Sequence, residues 1–213
     1  MHQVTRPAIL YFGTPVVLIG TVNEDSSFNL APMSSAWWLG QRCVLGLAAA
    51  SKTTRNLIRT GQCVLNLPSD AMAAHVDRIA RTTGTDPVPA GKASRGYRFV
   101  AGKFEAAGLT PIPSLTVEAP RAMECPVQLE CELEEFHPIG DQDPAWRGRS
   151  LALHVVVRKV HVAEDILADG EPDRIDPNKW RPLIMSFQHF YGLKPGTEHT
   201  SELAKIPEAA YRP

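Results

Sequence analysis

Two polar segments in the first quarter of the chain carry side chains suited to binding an anionic ligand. Asn29 to Ser35 (NLAPMSS) precedes an apolar run, and Ser51-Lys52-Thr53-Thr54 stands at the predicted start of a helix. The first N–H groups of a helix lack intrahelical partners, and the helix dipole favours negative charge there. Hydroxyl and ammonium groups at this position therefore suit a phosphate. The same residues also fit simple N-capping by Ser51, and the motif alone does not decide between the two.

Other kinds of chemistry find less support in the residue patterns. The P-loop pattern and the G-x-S-x-G elbow of serine hydrolases are both absent. The adjacent Glu134 and Glu135 have no histidine or metal-ligand spacing around them, so we interpret them as a solvated strand end. The four cysteines form no C-x-x-C pair and are expected to be buried, inert thiols without a disulfide or a metal; they are Cys43, Cys63, Cys125 and Cys131.

The charge balance and the lengths of the apolar runs limit which macromolecules or membranes the protein is expected to bind. The 213 residues include 22 Lys and Arg against 23 Asp and Glu, a formal net charge of −1. Nucleic acid is therefore not expected as the main partner, because phosphate backbones require a basic surplus or stripe. No apolar run is long enough for a transmembrane helix, so no membrane partner is expected. The first residues lack the features of a signal peptide, and a cytoplasmic protein is expected.

The two polar segments must be positioned by the elements around them, and in the first half of the chain these are mostly strands. β-Branched and alternating runs joined by short turns predict an antiparallel meander of strands. The Ser/Thr-rich start at Ser51, the apolar Leu57 and Ile58 and the stop at Gly61 predict a helix. The predicted strands are Pro15–Val22, Ser34–Leu39, Cys43–Ala49 and Cys63–Leu67, Phe28–Pro32 restarts the chain after a polar turn, and the helix covers Ser51–Thr60.

The second half predicts fewer elements. Helices are expected over Ala71–Arg81 and Lys103–Ala107, and alternation predicts strands at Pro126–Glu134 and Leu151–Val162. Between Thr82 and Pro120 the chain is rich in Gly, Pro, Lys and Arg and is otherwise interpreted as loop. We expect one domain over residues 1–213, with a proline-punctuated extension from about residue 175. The fold class is mainly β, a closed β-barrel with peripheral helices, because closure removes exposed sheet edges.

An ordered set of short motifs resembles the flavin reductase-like family, the FMN-binding split β-barrel proteins of the flavoredoxin type. Each motif alone is weak, but together they span nearly the whole chain in the family's order. They are Thr14–Ile19 (TPVVLI), Asn29–Ser35 (NLAPMSS), Ser51–Leu57 (SKTTRNL), Val64–Ser69 (VLNLPS), Gly108–Pro111 (GLTP), Glu124–Glu130 (ECPVQLE) and Trp180–Ile184 (WRPLI).

The resemblance implies FMN as the cofactor and a homodimer that binds it at the subunit interface. The segment matching Asn29–Ser35 would lie along the isoalloxazine ring, and the segment matching Ser51–Asn56 would hold the ribityl phosphate. Alternation along a strand puts Ser34 and Ser35 on opposite faces, and the sequence does not say which one faces the ring. The implied cofactor-binding residues are Asn29, Ala31, Pro32, Met33, Ser34, Ser35, Ser51, Lys52, Thr53, Thr54 and Asn56.

Four further residues are candidate neighbours of the flavin. Trp37 and Trp38 are adjacent, so at most one of them can face the ring while the other enters the core or an interface. Phe104 resembles a position that approaches the cofactor from a loop, but it fits a loop anchor equally well. His189 lies in an aromatic tail and fits a surface or packing residue better than a nicotinamide contact.

The function implied by the resemblance is a flavin reductase that transfers a hydride from NADH or NADPH to FMN. No general acid or base is needed for that step, so no catalytic residue is assigned. A non-catalytic electron carrier of the flavoredoxin type is the alternative, and a split-barrel oxidase is a weaker third. The electron acceptor would be a monooxygenase or another protein. The sequence contains no Rossmann fingerprint that would separate NADH from NADPH.

Overall fold

The computed structural model describes residues 1–197 and 199–211, and strands dominate it. The strands are β1 (Phe12–Pro15), β2 (Val17–Val22), β3 (Phe28–Met33), β4 (Ala36–Leu39), β5 (Arg42–Ala48), β6 (Gln62–Leu67), β7 (Thr82–Thr83), β8 (Arg98–Phe99), β9 (Pro111–Ile112), β10 (Arg121–Ala122), β11 (Val127–Ile139), β12 (Ser150–Val162), β13 (Leu167–Ala168), β14 (Glu171–Ile175), β15 (Ile184–Ser186) and β16 (His189–Tyr191). The helices are α1 (Lys52–Thr60), α2 (Ala73–Ala80), α3 (Ala90–Ala93) and α4 (Lys103–Ala107), with short 3-10 turns at Asp70–Met72, Glu164–Ile166, Glu202–Lys205 and Glu208–Tyr211. Within these described ranges, no helix has the length and apolar character needed to cross a membrane.

Seven strands form one antiparallel sheet in the order β3-β2-β6-β11-β12-β5-β4. Its two edge strands, β3 and β4, are separated in the chain only by Ser34 and Ser35. The sheet must therefore curl until its edges meet, although no ladder joins them in the described strands. The mainly β barrel with peripheral helices is confirmed as a split barrel.

The predicted meander order is wrong. β2 pairs with β3 and β4 pairs with β5, as short hairpins require, but the second neighbour of β2 is β6 and that of β5 is β12. The long hairpin of β11 and β12 separates the two halves of the first meander. Pairing between distant strands leaves no local signature, so alternation predicted the strands and not their order.

β2 is buried on both faces, which explains its continuous apolar run. Val17 and Ile19 face the barrel interior, where alternate residues of β5, β6, β11 and β12 also pack. Leu18 faces outward, beneath a layer that includes Ile79 of α2 and Phe104 of α4. The strand therefore joins the barrel core to the helical layer that covers one side of the cleft described below.

The predicted helix after Ser51 is confirmed, with both end signals in use. The Ser51 side chain accepts a hydrogen bond from the N–H of Thr54 at 3.1 Å and caps the N-terminus of α1. Gly61 ends the helix in the left-handed conformation, at φ 69°, which glycine adopts without a steric penalty. The helix therefore begins at the residue expected from its capping group.

Other predicted elements are confirmed in outline, and several were missed. α2, α4, β11 and β12 lie where periodicity placed them, although β11 continues to Ile139. The segment interpreted as loop also contains α3 and the two-residue strands β7 to β9. In the proline-punctuated tail, β15 pairs with β1 and with β16, an association across most of the chain that no local pattern predicts.

A buried carboxylate fastens the loop at residues 113–121 to the sheet. Glu130 of β11 is fully buried and accepts hydrogen bonds from the N–H groups of Leu115 and Thr116, at 2.8 and 2.6 Å, and from the Thr116 hydroxyl. Nε2 of His161 lies 2.7 Å from it, and Nε of Arg121 lies 4.0 Å away. Burial raises the pKa of Glu130, but hydrogen bonds from Thr116, Leu115 and His161 outweigh it and lower that pKa to about 2.

Candidate functional site

A cleft of about 600 Å³ opens where β3, β5, the start of α1 and the segment 80–103 meet. Its size lies within the range of small-molecule and cofactor sites. It brings together eight of the eleven residues proposed from the sequence: Asn29, Ala31, Pro32, Met33, Ser35, Ser51, Lys52 and Thr53.

One group of lining residues is apolar or aromatic. Met33 of β3, Leu47 of β5 and Ile139 at the end of β11 come from the barrel, and Tyr11 and Trp146 come from segments beside it. The hydroxyls of Tyr11 and Ser35 lie 2.9 Å apart, which ties the segment before β1 to the start of β4. These surfaces suit a flat, largely apolar ring with a polar edge.

A second group of lining residues is cationic. Lys52, Lys92, Arg95 and Lys103 all line the cleft, and none of the lining residues that the structure describes is acidic. Lys52 is paired outside the cleft with Glu24, a contact that lowers the pKa of this carboxyl. The other three cations have no carboxylate partner in the described part of the chain. The cleft is therefore electropositive and suited to an anion.

Lys103 is the most deeply placed of these cations. It is the first residue of α4 and is only 3% exposed. Among residues 1–197 and 199–211 no side chain or carbonyl accepts a hydrogen bond from its ammonium group. Burial, and after it the nearby charge of Lys92, lowers the pKa of Lys103 to about 8. A buried ammonium without a partner is costly, so its position facing the cleft points to an anionic ligand.

The start of α1 is linked to β3 through buried polar side chains. Asn29 is 2% exposed and donates hydrogen bonds to Thr21 at 3.2 Å and to Thr53 at 3.1 Å. Gly84 lies against this network, because a Cβ added there would lie 2.8 Å from Oδ1 of Asn29 and 3.3 Å from Cγ of Lys52. Only a residue without a side chain fits between these groups and the cleft.

Three residues proposed from the sequence do not line the cleft. Thr54 is buried and donates to the carbonyl of Ala48 at 2.9 Å. Asn56 is buried and donates to Oγ1 of Thr21 and to Oδ1 of Asn23, at 3.1 and 2.8 Å. Ser34 is half-buried in the link between the two edge strands. Thr54 and Asn56 therefore position α1 from inside the protein. The sequence of a helix start does not distinguish polar residues that point inward from those that could contact a ligand.

None of the four aromatic or histidine candidates lines the cleft. Trp37 is 55% exposed, while Trp38 packs against the barrel core, so the two point to opposite faces as alternation requires. Phe104 is buried next to Phe28, with ring centroids 6.5 Å apart, and anchors α4 instead. His189 is exposed on β16. The residue before Phe104, Lys103, is the one that faces the cleft.

Sequence analysis missed the contribution of residues 82–103. This segment supplies Thr82, Thr83 and Gly84 and three of the four cations. Its helices are short and its two strands have two residues each, so these elements leave no hydrophobic periodicity from which they could be predicted. The density of Lys and Arg in a Gly-containing stretch was the available signal.

A separate cluster on the β11–β12 hairpin contains groups that can ligate metals. Glu135 lies 3.3 Å from Nε2 of His137 and 3.2 Å from Nδ1 of His154, and one donor atom of each lies within 4.8 Å of the others. The interpretation of Glu135 as part of a strand end without a histidine nearby is wrong, because Glu135 lies within β11 and contacts both histidines. Its pairing with His154 across the two strands is an ordinary cross-strand contact. The expectation that the chain holds no metal stays a prediction.

Comparison with known proteins gives one consistent result. The family model described as "Flavin reductase like domain" matches residues 9–194. The uncharacterized protein YdfE of Bacillus subtilis (strain 168) is 37% identical over 188 residues, covering 88% of this chain and 87% of that protein. Flavoredoxin of Desulfovibrio vulgaris (Miyazaki F) superimposes with a TM-score of 0.74 at 24% identity, over 96% of this chain and 100% of that one. Nitrilotriacetate monooxygenase component B from Bacillus cereus gives 0.70 at 22% identity, over 88% of each chain. The protein described here belongs to the flavin reductase-like family.

Proposed function

We propose that the protein is an FMN-binding oxidoreductase that accepts a hydride from NADH or NADPH. Membership of the flavin reductase-like family supports the class of reaction. The observation that carries the proposal is the cleft, in which an apolar wall faces cations and no acidic residue among those described. FMN combines the matching properties, since it has a flat ring system and a phosphate that is largely dianionic at neutral pH.

The residues present fit this cofactor. The start of α1, with Lys52 and Thr53, would hold the phosphate together with Lys92 and Lys103. Met33, Leu47 and Tyr11 would pack against the ring, while the backbone of β3 would reach its polar edge. The close approach of Gly84 to Asn29 leaves the cleft open at that point.

When bound, FMN would supply the hydride-accepting chemistry. The chain's contribution is orientation and electrostatics. Cations around the cleft favour a ligand that gains negative charge, and the half-exposed Trp146 together with Ile139 would shield the ring from water. No side chain of the cleft is required to donate or remove a proton.

The spectrum of the purified protein tests this function. We expect FMN to bind and give a yellow protein, and anaerobic addition of NADPH or NADH to bleach it. A protein that stays yellow with both nucleotides, while dithionite bleaches it, would instead be an electron carrier that receives electrons from a partner protein. A protein that FMN does not colour would contradict the proposal as a whole.

Replacing Gly84 with Ala is expected to weaken FMN binding about tenfold or more. The new methyl group would meet the buried Oδ1 of Asn29 at 2.8 Å, so Asn29 or the start of α1 must move. Fluorescence titration of FMN gives the dissociation constant. Gly91→Ala is the matched control, because a Cβ at Gly91 meets nothing within 4 Å; equal affinities of the two variants would contradict the role given to Gly84.

We also propose a homodimer formed through the region around β4. This edge strand follows Ser35 of the cleft and exposes Trp37 and Leu39, which are 55% and 75% accessible. Light scattering should give twice the chain mass for the wild type and a smaller mass for Trp37→Glu. A monomeric wild type at micromolar concentration would refute this arrangement.

A further inference from the structure

A second pocket of about 240 Å³ adjoins the cleft and shares Ala80 and Thr82 with it. Three arginines line this pocket, Arg78, Arg81 and Arg98, and Asp77 is the one carboxylate among its described lining residues. We call it the arginine pocket. Its formal charge is positive, and no step of the proposed function so far requires it.

Secondary structure fixes the positions of these arginines relative to one another. β7 and β8 pair in parallel, and the N–H of Arg98 donates to the carbonyl of Arg81 at 3.1 Å. Arg81 leaves the end of α2, and its Nη1 lies 3.5 Å from where a Cβ on Gly96 would stand. Arg78 donates to the carbonyl of Ala107 at 3.2 Å, at the C-terminal end of α4. The backbone therefore brings the three arginines to one side of the cleft.

The charges of two of these arginines are not balanced locally. Within residues 1–197 and 199–211, the side chains of Arg81 and Arg98 make no hydrogen bond or ion pair. Asp77 lines the same pocket and forms no ion pair of 4 Å or less with any described residue. The three arginines and Asp77 are exposed, so solvent screens their mutual repulsion, but the excess of guanidinium groups around one cavity gives a positive potential that attracts an anion.

Its place beside the cleft narrows the kind of anion. The pocket joins the cleft at Thr82, next to Thr83 and Gly84, on the side where the proposed flavin phosphate would lie. An incoming dinucleotide whose nicotinamide stacks on the flavin would extend its adenosine half out of the cleft. Proteins that read the adenosine ribose use an acidic side chain for the 2′-hydroxyl of NADH and arginine for the 2′-phosphate of NADPH. A pocket lined by three arginines and one aspartate is better suited to the 2′-phosphate of NADPH than to the 2′-hydroxyl of NADH.

We propose that the arginine pocket binds the 2′-phosphate of NADPH and makes NADPH the preferred electron donor. This assignment rests on the proposed function, because it presumes that a nicotinamide dinucleotide enters the cleft. Guanidinium groups suit the site, since their planar forks make paired hydrogen bonds to phosphate oxygens. Asp77 then remains available to a ribose hydroxyl.

The test measures kcat/KM for flavin reduction by NADPH and by NADH. It does so for the FMN-loaded wild type and for its Arg81→Gln/Arg98→Gln double variant. We expect kcat/KM of the wild type to favour NADPH at least tenfold. The double variant should lose at least tenfold with NADPH and stay within twofold with NADH. Arg158→Gln on β12, an exposed arginine paired with Glu132, removes one positive charge far from the pocket and should change neither value. Equal use of both dinucleotides by the wild type, or equal losses in the double variant, overturns the proposal.

Calorimetry separates failure of this pocket from failure of the proposed reaction. Adenosine 2′,5′-bisphosphate should bind the wild type at least tenfold more tightly than adenosine 5′-monophosphate, and the double variant should lose the difference. This result supports the pocket as a 2′-phosphate site even if neither dinucleotide reduces the flavin. Equal affinities for the two adenosine nucleotides overturn the assignment even if both dinucleotides reduce the flavin. Two other results would also overturn the proposal. If inorganic phosphate binds more tightly than either adenosine nucleotide, the pocket is a general phosphate site. If FAD binds tenfold more tightly than FMN in the wild type but not in the double variant, the pocket holds the adenylate phosphate of FAD.

Discussion

Lys103→Met is expected to stabilise the ligand-free protein and at the same time to weaken FMN binding. Burial lowers the pKa of Lys103 from 10.5 to about 8, so the folded protein at pH 7 carries the cost of an unpaired buried ammonium. A shift of this size corresponds to roughly 3 kcal/mol. For a chain of this length the melting temperature should rise on the order of 5 to 10 °C. Lost charge-assisted hydrogen bonding should weaken FMN about tenfold to a hundredfold.

The pH dependence of both effects follows from the direction of the shift. Below the folded pKa of about 8, Lys103 is charged in both the folded and the unfolded protein, and the full cost is present. As the pH rises from 8 towards 10.5, the folded state loses the proton first, so the wild type gains stability relative to the Met variant. FMN affinity should fall over the same range, because the neutral amine no longer attracts the phosphate. Lys92, whose pKa is also lowered by burial and then by Arg95 and Arg55, contributes to this fall.

Two further variants separate charge from packing at Lys103. Lys159→Met removes an exposed lysine from β12 and should leave the melting temperature and the FMN affinity unchanged. Lys103→Arg keeps the cation and should retain most FMN binding, with its pH dependence above pH 8 reduced. Scanning calorimetry of the apo protein and FMN titration between pH 6.5 and 9.5 give both quantities. A Met variant that melts below the wild type and binds FMN normally would show that Lys103 serves the fold alone.

Glu130→Gln is expected to produce the largest loss of stability. The substitution keeps the size of the side chain but places an NH₂ group among the donors of Leu115, Thr116 and His161. Removing one partner from a buried charged network typically costs several kcal/mol. The pKa of about 2 for Glu130, against 4.5 ordinarily, gives a comparable figure of about 3 kcal/mol at neutral pH. The melting temperature should fall by roughly 5 to 12 °C.

This contribution of Glu130 has a defined pH range. Its folded pKa is depressed, so the stabilisation is complete above about pH 4.5 and is lost as the pH falls towards 2. The wild type and the Gln variant should therefore differ most at neutral pH and converge in acid. Glu134→Gln is the control on the same strand, because Glu134 pairs with Arg42 at the surface, where solvent screens the pair, and the substitution should hardly change the melting temperature. Equal effects of the two substitutions would contradict the role given to the buried network.

Local patterns predicted the elements that hold the cleft, and in places its details. Ser51 and Gly61 bound α1 because capping depends on residues a few positions apart, which a sequence displays directly. Alternation placed β11 and β12, and it separated Trp37 from Trp38. The same reasoning could not order the strands, because the pairing of β2 with β6 depends on contacts made elsewhere in the sheet.

The cationic side of the cleft illustrates what single residues do not reveal. Lys103 differs from any surface lysine only through the burial of α4 against the barrel, a tertiary property. Thr54 and Asn56 belong to the same polar motif as Lys52 and Thr53, yet helix geometry turns them inward, to Ala48 and to Thr21 and Asn23. The motif predicted which segments line the cleft more reliably than which of their side chains face it.

The division of the cleft between two kinds of chain segment bears on how such a protein diversifies. Barrel strands supply much of its apolar wall, including Met33 and Leu47, and substitutions there disturb the core, whereas three of its four cations come from residues 82–103, built of short helices and two-residue strands. Insertions and exchanges in such a segment leave the ladders of the barrel intact. On the proposed assignments, the anion preference of this region can therefore change through residues 82–103 and the end of α2, which carry most of the cationic side chains, while the barrel strands beneath are retained.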